Sequence, residues 1–348
     1  MSGCETGSGV SCEQEEMERI LFGFKLEAQK QLVSLQKPRK KVLVIAGPTA
    51  VGKSRFALDL AKTINGEIIS ADSMQVYKGM DIGTAKLPLN EREGIPHHLI
   101  DIRAIRDVFN VVDFYYEARH LCQQIIARDA VPIVVGGSGF YIHSLIYGPP
   151  SGPPSVAELR KALEEEVEKF GIEAMFKKLK ELDPQYASTI TAGDKQKIVR
   201  AIEIIRLTGK KVSKLSWKGR RRPQNYDFRC WFLFKPREHL YRVIDKRCER
   251  MIEDGFIDEV KALLDEGLKE NSSALQSIGY RQVLDFFETS QTKEDYQKFI
   301  EKFKQATRSY AKRQLTWFRK EPDFRWLDLD LHDYEVAQEL VINDFLNS

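Results

Sequence analysis

Three short stretches of the sequence bring together residue types suited to chemistry on a phosphorylated substrate. The first is Gly47-Pro48-Thr49-Ala50-Val51-Gly52-Lys53-Ser54, which follows the apolar run Val42-Leu43-Val44-Ile45-Ala46 and leads into Phe56, Leu60 and Ile64 at helical spacing. That order is strand, phosphate loop, helix. The loop glycines let the backbone turn tightly and aim successive N–H groups inward, the helix N-terminus adds partial positive charge, and Lys53 supplies a full one. Such a nest suits a diphosphate or a triphosphate. The second stretch is Glu67-Ile68-Ile69-Ser70-Ala71-Asp72-Ser73, a short strand pattern ending in a carboxylate. In an open parallel sheet ligands sit outside the carboxyl ends of the strands, so Asp72 faces the crevice that holds Lys53; the competing reading is an Asx turn that closes the strand. The third is Gly136-Gly137-Ser138-Gly139, after the buried strand pattern Val131 to Val135. Either its small residues permit close approach of a ligand and set Ser138 level with Asp72, or they make an ordinary strand-end turn.

These residues need a scaffold, and the rest of the chain supplies a pattern for one. Strand and helix signals alternate with short loops between them, which predicts an α/β fold: a P-loop NTPase-like parallel sheet flanked by helices. His97-His98-Leu99-Ile100-Asp101 reads as another strand, whose adjacent histidines face opposite ways and so make no metal pair. Val111 to Arg128 reads as a helix. The loop Gln75 to Lys86 is long for a compact domain, and loops of that length are usually functional. Gly148-Pro149-Pro150-Ser151-Gly152-Pro153-Pro154 marks a boundary. Beyond it, to about residue 213, only helical patterns occur, carried by Leu159, Leu163 and Val167, by Phe176, Leu179 and Leu182, and by Ile198, Ile202 and Ile205; this predicts an all-α insertion domain. Its rear joint, Lys214 to Pro223, gathers Lys214, Lys218 and Arg220-Arg221-Arg222 around Trp217 without an acid, and reads as a solvated linker or a nucleic-acid contact.

The sheet resumes with Phe228 to Phe234. A helix carrying Arg237 and Arg247 follows, then helices at Ile257 to Glu266, capped by Gly267, and at Ala274 to Phe287. On Phe303 to Lys320, the cations Lys304, Arg308, Lys312 and Arg319 form a stripe opposite Phe303, Ala306, Tyr310 and Trp317, a pattern suited either to a phosphate backbone or to solvent. The predicted organisation is an N-terminal extension at 1–40, partly disordered and with an amphipathic helix. A P-loop core then spans 41–150 and 223–330, interrupted by the helical insertion at 151–222, and a C-terminal helix closes the chain at 331–348.

With 54 basic and 51 acidic side chains the net charge is only +3, so bulk charge does not by itself argue for nucleic acid. Cys4, Cys12, Cys122, Cys230 and Cys248 show no zinc-ligand spacing and read as free thiols of a reducing compartment. No stretch has the length of a membrane span and the N-terminus lacks a signal-peptide layout, so a cytoplasmic protein with no membrane partner is expected.

Taken as words rather than as single residues, the motifs are more specific. The phosphate loop, Asp72-Ser73-Met74-Gln75-Val76-Tyr77, Gly79-Met80-Asp81-Ile82-Gly83-Thr84-Ala85-Lys86, Gly136-Gly137-Ser138-Gly139-Phe140-Tyr141 and Tyr310-Ala311-Lys312-Arg313-Gln314-Leu315-Thr316-Trp317-Phe318 together resemble the bacterial tRNA dimethylallyltransferases, or tRNA isopentenyltransferases, over roughly residues 40 to 330. The resemblance implies that Gly47, Pro48, Thr49, Ala50, Val51, Gly52, Lys53 and Ser54 hold dimethylallyl diphosphate rather than ATP, with Ser54 a ligand of a magnesium cofactor and Arg237 a further clamp. It implies that the acceptor is the exocyclic amine of the adenosine 3′ of a tRNA anticodon, that Asp72 takes the amine proton, and that Ser138 hydrogen-bonds near the acceptor. Contacts to the tRNA anticodon stem-loop are implied for Asp72, Ser73, Met74, Gln75 and Ser138, and in the insertion for Arg160, Gln196, Lys197, Ile198, Val199 and Arg200. The sequence departs from the family pattern at Ser138, where Thr is usual, at Gly193, where Asn is usual, and at Lys197, where Arg is frequent. A monomer is expected. Two other activities stay open at this level: prenyl transfer to free adenosine nucleotides, and a small-molecule P-loop kinase with Asp101 as its metal-holding acid.

Overall fold

The computed structural model describes residues 40–150, 152–215 and 225–347. The amphipathic helix expected before residue 40 and most of the basic joint, including Arg220, Arg221 and Arg222, lie outside the described residues. The chain falls into two compact units, 1–40 with 224–227, and 41–223 with 228–348. Of the first, the described residues are Lys40 and 225–227, which lead into two strands. The second carries the site.

Its sheet has six strands in the order β3-β2-β4-β1-β5-β6. They are β1 (Lys40–Ala46), β2 (Gly66–Ser70), β3 (His97–His98), β4 (Val131–Gly136), β5 (Tyr226–Phe234) and β6 (Phe324–Asp328). The pairs β3–β2, β2–β4, β4–β1 and β5–β6 run parallel, with Val44 opposite Val134 and Ile69 opposite the same residue on the other side. Strands covered on both faces are apolar throughout, and β1, β2 and β4 are buried almost without a break. This order has a direct consequence for chemistry. β4 lies between β1 and β2, so the Gly136-Gly137 end of β4 separates the phosphate loop from Asp72, and all three open at the same edge.

Around the sheet lie α1 (Lys53–Thr63), α2 (Val111–Ala127) and α3 (Gly139–Tyr147), and, after the insertion, α8 (Arg237–Glu253), α9 (Phe256–Glu266), α10 (Ser272–Leu275), α11 (Tyr280–Phe287), α12 (Lys293–Phe318) and α13 (Tyr334–Leu346). The insertion consists of α4 (Ala157–Phe170), α5 (Ile172–Leu182), α6 (Pro184–Ala187) and α7 (Lys195–Thr208). It buries its own cluster of Leu163, Val167, Met175, Leu179, Ile198 and Ile202. Its entry segment, at Ser155 and Val156, is pinned to α7 by Glu203, which is fully buried and accepts hydrogen bonds from Ser155 Oγ at 2.6 Å, Val156 N at 2.8 Å and Arg200 Nη1 at 2.6 Å.

Three expectations need correction. The strand predicted over His97–Asp101 stops at His98, because Leu99 and Asp101 are left-handed (φ 60° and 56°) and the chain turns to bond Gln75 and Val76 instead. The helix predicted over Ala274–Phe287 is broken into α10 and α11 by Gly279, at φ 91°. The segment before the C-terminal helix contains β6, whose Trp326 packs on Phe232 with ring centroids 4.3 Å apart; the sheet therefore extends one strand further than the sequence pattern indicated.

Candidate active site

The phosphate loop is built as its sequence requires. Gly52 caps α1 at φ 106°, a left-handed conformation that a side chain would strain, and so turns the chain into the helix with the first N–H groups facing out of the sheet edge. Lys53 folds over the loop, its Nζ donating to the Pro48 carbonyl at 2.8 Å. Burial, reinforced by the nearby Arg247 guanidinium and opposed by the Asp72 carboxylate, lowers the Lys53 ammonium to about 7. Ser54 lines the same cavity as Lys53, Thr49 and Asp72.

Asp72 satisfies both readings made of it. Its Oδ1 accepts from the N–H of Met74 at 2.8 Å and of Gln75 at 3.4 Å, which is the Asx turn. It also lines two cavities, one of about 780 Å³ and one of about 1080 Å³, both open to solvent. The first contains the phosphate loop, Gly136-Gly137 and the apolar side chains Ile68, Leu87, Ile100 and Val135. The second is walled by Ser73, Met74, Met251, Tyr280, Phe303 and Arg313, among others. Thr49, Asp72, Thr84, Arg247 and Tyr310 belong to both, so the two cavities meet at these residues.

The floor of the second cavity is held rigidly. Glu259 on α9 accepts from the N–H groups of Asp81 (3.0 Å), Ile82 (2.6 Å) and Gly83 (3.1 Å) and from the Tyr280 hydroxyl (2.6 Å). Lys86 is tied to the Tyr77 carbonyl, Asp81 and Asp101 at 2.6–2.7 Å. The long loop is thus a braced platform that delivers Gly83 and Thr84 to the site.

The remaining predicted site residues divide. Ser73 and Met74 line the second cavity and Gln75 the first, where its Oε1 accepts from Ser70 Oγ at 2.9 Å. Ser138 stands at the N-cap of α3 and lines neither cavity. Arg237 is exposed, stacked on Tyr241 with its guanidinium 5.1 Å from the ring centroid, and lines neither cavity. The arginine at the loop is Arg247, whose Nη1 lies 3.5 Å from Thr49 Oγ1. Ten residues along α8 is about 15 Å, so only one of the two can reach the loop. In the insertion, Gln196 and Lys197 are exposed and Arg160 is half-exposed beside Glu164. Ile198 and Val199, however, are 0% and 1% exposed inside the insertion's own core, and Arg200 is spent on Glu203 and the Pro153 carbonyl. Helical periodicity turns those two side chains inward, which leaves Gln196 and Lys197 as the exposed side chains of the stretch expected to contact tRNA.

Besides Arg247, Tyr310 and Gln314 are site residues that the sequence analysis leaves unassigned. Tyr310 touches both cavities. Gln314 is 5% exposed, accepts from the Thr49 N–H at 2.9 Å and donates to the Gly137 carbonyl at 3.0 Å. Their spacing of four on an apolar face was the available signal, but it is also that of ordinary core positions. The cationic stripe on α12 is partly neutralised: Lys304 pairs with Glu249 at 2.7 Å and Arg308 with Asp245 at 2.6 Å, both acids on α8, while Lys312 and Arg319 stay exposed.

A phosphate loop on a parallel sheet, with a carboxylate at a neighbouring strand end and a second cavity meeting the first there, defines a P-loop protein of the group-transfer class. The sequence model described as IPP transferase matches residues 75–321. The chain is 63% identical over 336 residues to the tRNA dimethylallyltransferase of Protochlamydia amoebophila, covering 96% of this chain and 98% of that one. It is 48% identical over 324 residues to that of Chlamydia felis, covering 92% and 94%. Among solved structures it resembles the tRNA isopentenylpyrophosphate transferase of Bacillus halodurans, at TM-score 0.65 and 38% identity, covering 89% of this chain and 97% of that one. It also resembles a eukaryotic dimethylallyltransferase acting on tRNA, at TM-score 0.72 and 31% identity, covering 88% and 80%. The chain belongs to the IPP transferase family, and these relatives are tRNA prenyltransferases.

Proposed function

We propose that the protein transfers the dimethylallyl group of dimethylallyl diphosphate to the exocyclic amine of the adenosine 3′-adjacent to the anticodon of tRNA, releasing diphosphate. The observation that carries this reading is the junction of the two cavities at Thr49, Asp72, Arg247 and Tyr310. The donor's diphosphate belongs in the first cavity, on the loop N–H groups, Lys53 and Arg247. The adenine, unstacked from the anticodon loop, belongs in the second, beside Ser73 and Met74.

The exocyclic amine of adenine is a poor nucleophile, because its lone pair is delocalised into the ring. Reaction therefore needs a leaving group stabilised as it departs and a base for the amine proton. As the C1–O bond of the donor breaks and the N6–C1 bond forms, the diphosphate charge is taken up by Lys53, Arg247 and the helix N-terminus, and the N6 proton passes to Asp72. The carboxylate oxygen not engaged in the Asx turn is the acceptor. Magnesium suits the loop: Ser54 offers an oxygen ligand in the diphosphate cavity, and among the described residues no group of three or more His, Cys, Asp or Glu could hold a metal without substrate. When bound, the ion would neutralise part of the diphosphate charge.

Against a kinase, Asp101 is held by Lys86 and lines neither cavity. No helix among the described residues is long and apolar enough to cross a membrane, and a cytoplasmic monomer fits the reading. Incubation with carbon-labelled dimethylallyl diphosphate and either tRNA or AMP tests the acceptor. Label in tRNA adenosine is expected; label in AMP alone would assign the protein to free-nucleotide prenylation.

A further inference from the structure

Gln314 makes two hydrogen bonds across the mouth of the phosphate loop. Its Oε1 accepts from the Thr49 N–H at 2.9 Å, and its Nε2 donates to the Gly137 carbonyl at 3.0 Å. Gly137 must be glycine for this, since a Cβ there would collide with Gln314 Nε2. The residue is 5% exposed, lines the phosphate-loop cavity, and sits on α12 one turn after Tyr310 and next to Arg313, both of which line the second cavity. One turn further on, Trp317 packs against Gly139. The face of α12 that looks at the site is thus keyed into the ends of β1 and β4 through a single buried carboxamide.

We infer that Gln314 is a positioning residue for the donor: its carboxamide holds the phosphate loop to the end of β4 in the conformation that receives the diphosphate. The inference rests on the loop being the donor's diphosphate site. The loop contains a residue that resists its own conformation, since Ala50 sits at φ 66°, where a side chain is disfavoured. The loop's own bonds, from Lys53 Nζ and the Val51 N–H to the Pro48 carbonyl, close it on one side of Ala50, and Gln314 adds a fixed point from outside at the Thr49 N–H, one residue earlier. Without that bond the loop must be ordered by the ligand, which lowers affinity for the diphosphate moiety and leaves the acceptor site in place.

The test is the affinity of the full chain for inorganic diphosphate and for dimethylallyl diphosphate, measured by calorimetry beside that for a tRNA anticodon stem-loop. In Gln314→Leu, both diphosphate affinities should fall about tenfold, the size expected for losing a buried hydrogen-bond pair, with tRNA affinity within twofold. Prenyl transfer at saturating donor should stay within about threefold, so the loss appears in the donor KM rather than in kcat. Should Gln314→Leu fail to fold, Gln314→Glu preserves the shape and the acceptor for Thr49, but sets an oxygen against the Gly137 carbonyl and a charge beside the diphosphate; its diphosphate affinity should fall more than tenfold. Unchanged or tighter diphosphate binding in the folded variant overturns the assignment, as does an equal loss of tRNA affinity, which would mark general damage to α12. Wild-type protein that binds neither diphosphate would instead overturn the donor-site reading on which the assignment rests.

Discussion

At the scale of residues, the base and the clamp are different side chains. Asp72 keeps its place through the Asx turn to Met74 and Gln75, so Asp72→Asn, which preserves an acceptor oxygen, should leave the turn and tRNA affinity nearly intact. Single-turnover prenyl transfer should fall by about 10²–10⁴; turnover within tenfold of wild type would remove Asp72 as the base. The clamp lies where Arg247 meets Thr49. Arg247→Ala should raise the donor KM about ten- to a hundredfold, in keeping with removal of a charge-assisted hydrogen bond, whereas Arg237→Ala should change it less than twofold. The reverse order of effects would restore Arg237 to the site. The helix pattern in the sequence places both arginines on α8, but which turn reaches the loop is set by how α8 passes the sheet edge, and no local pattern records that.

At the scale of elements, the helices proposed to contact tRNA are held by buried or paired charge. In the insertion, burial alone would raise the Glu203 carboxyl, but hydrogen bonds from Ser155, Arg200 and the Val156 N–H outweigh it and hold it below the usual carboxylate range. A carboxylate depressed in the folded state contributes stability above its unfolded value near 4.3, and that contribution is lost as pH falls below it. The thermal midpoint of the wild-type chain should therefore drop more steeply between about pH 5 and pH 3 than that of Glu203→Gln; parallel curves would contradict this. On α12, Lys304 and Arg308 are committed to Glu249 and Asp245. Replacing both with Gln should leave the salt dependence of tRNA binding unchanged, while replacing the exposed Lys312 and Arg319 should reduce its slope by about one for each phosphate no longer neutralised. A stripe of four cations read from helical periodicity is thus halved by acids on a neighbouring helix, and those acids are not visible as partners until the helices are packed.

At the scale of the whole molecule, much of what matters was written in contiguous words. The β1–loop–α1 unit, the strand ending in Asp72 and the Gly136-Gly137 turn follow local rules of patterning and glycine use, and the parallel order of β2, β4 and β1 brings their ends together. What stayed hidden depends on elements distant in sequence. The strut from Gln314 to Thr49 spans 265 positions, and β6 is a strand because β5 is there to pair with it. The central claim is that a loop of nucleotide-binding shape here cradles a leaving group. It is tested most directly with dimethylallyl diphosphate carrying one label in the prenyl carbon and another on the β-phosphorus, incubated with tRNA and the full chain. Carbon label in tRNA adenosine and phosphorus label released in equal amount as inorganic diphosphate are expected. Phosphorus label transferred to an acceptor, or ATP hydrolysis with no carbon label in tRNA, would contradict that claim.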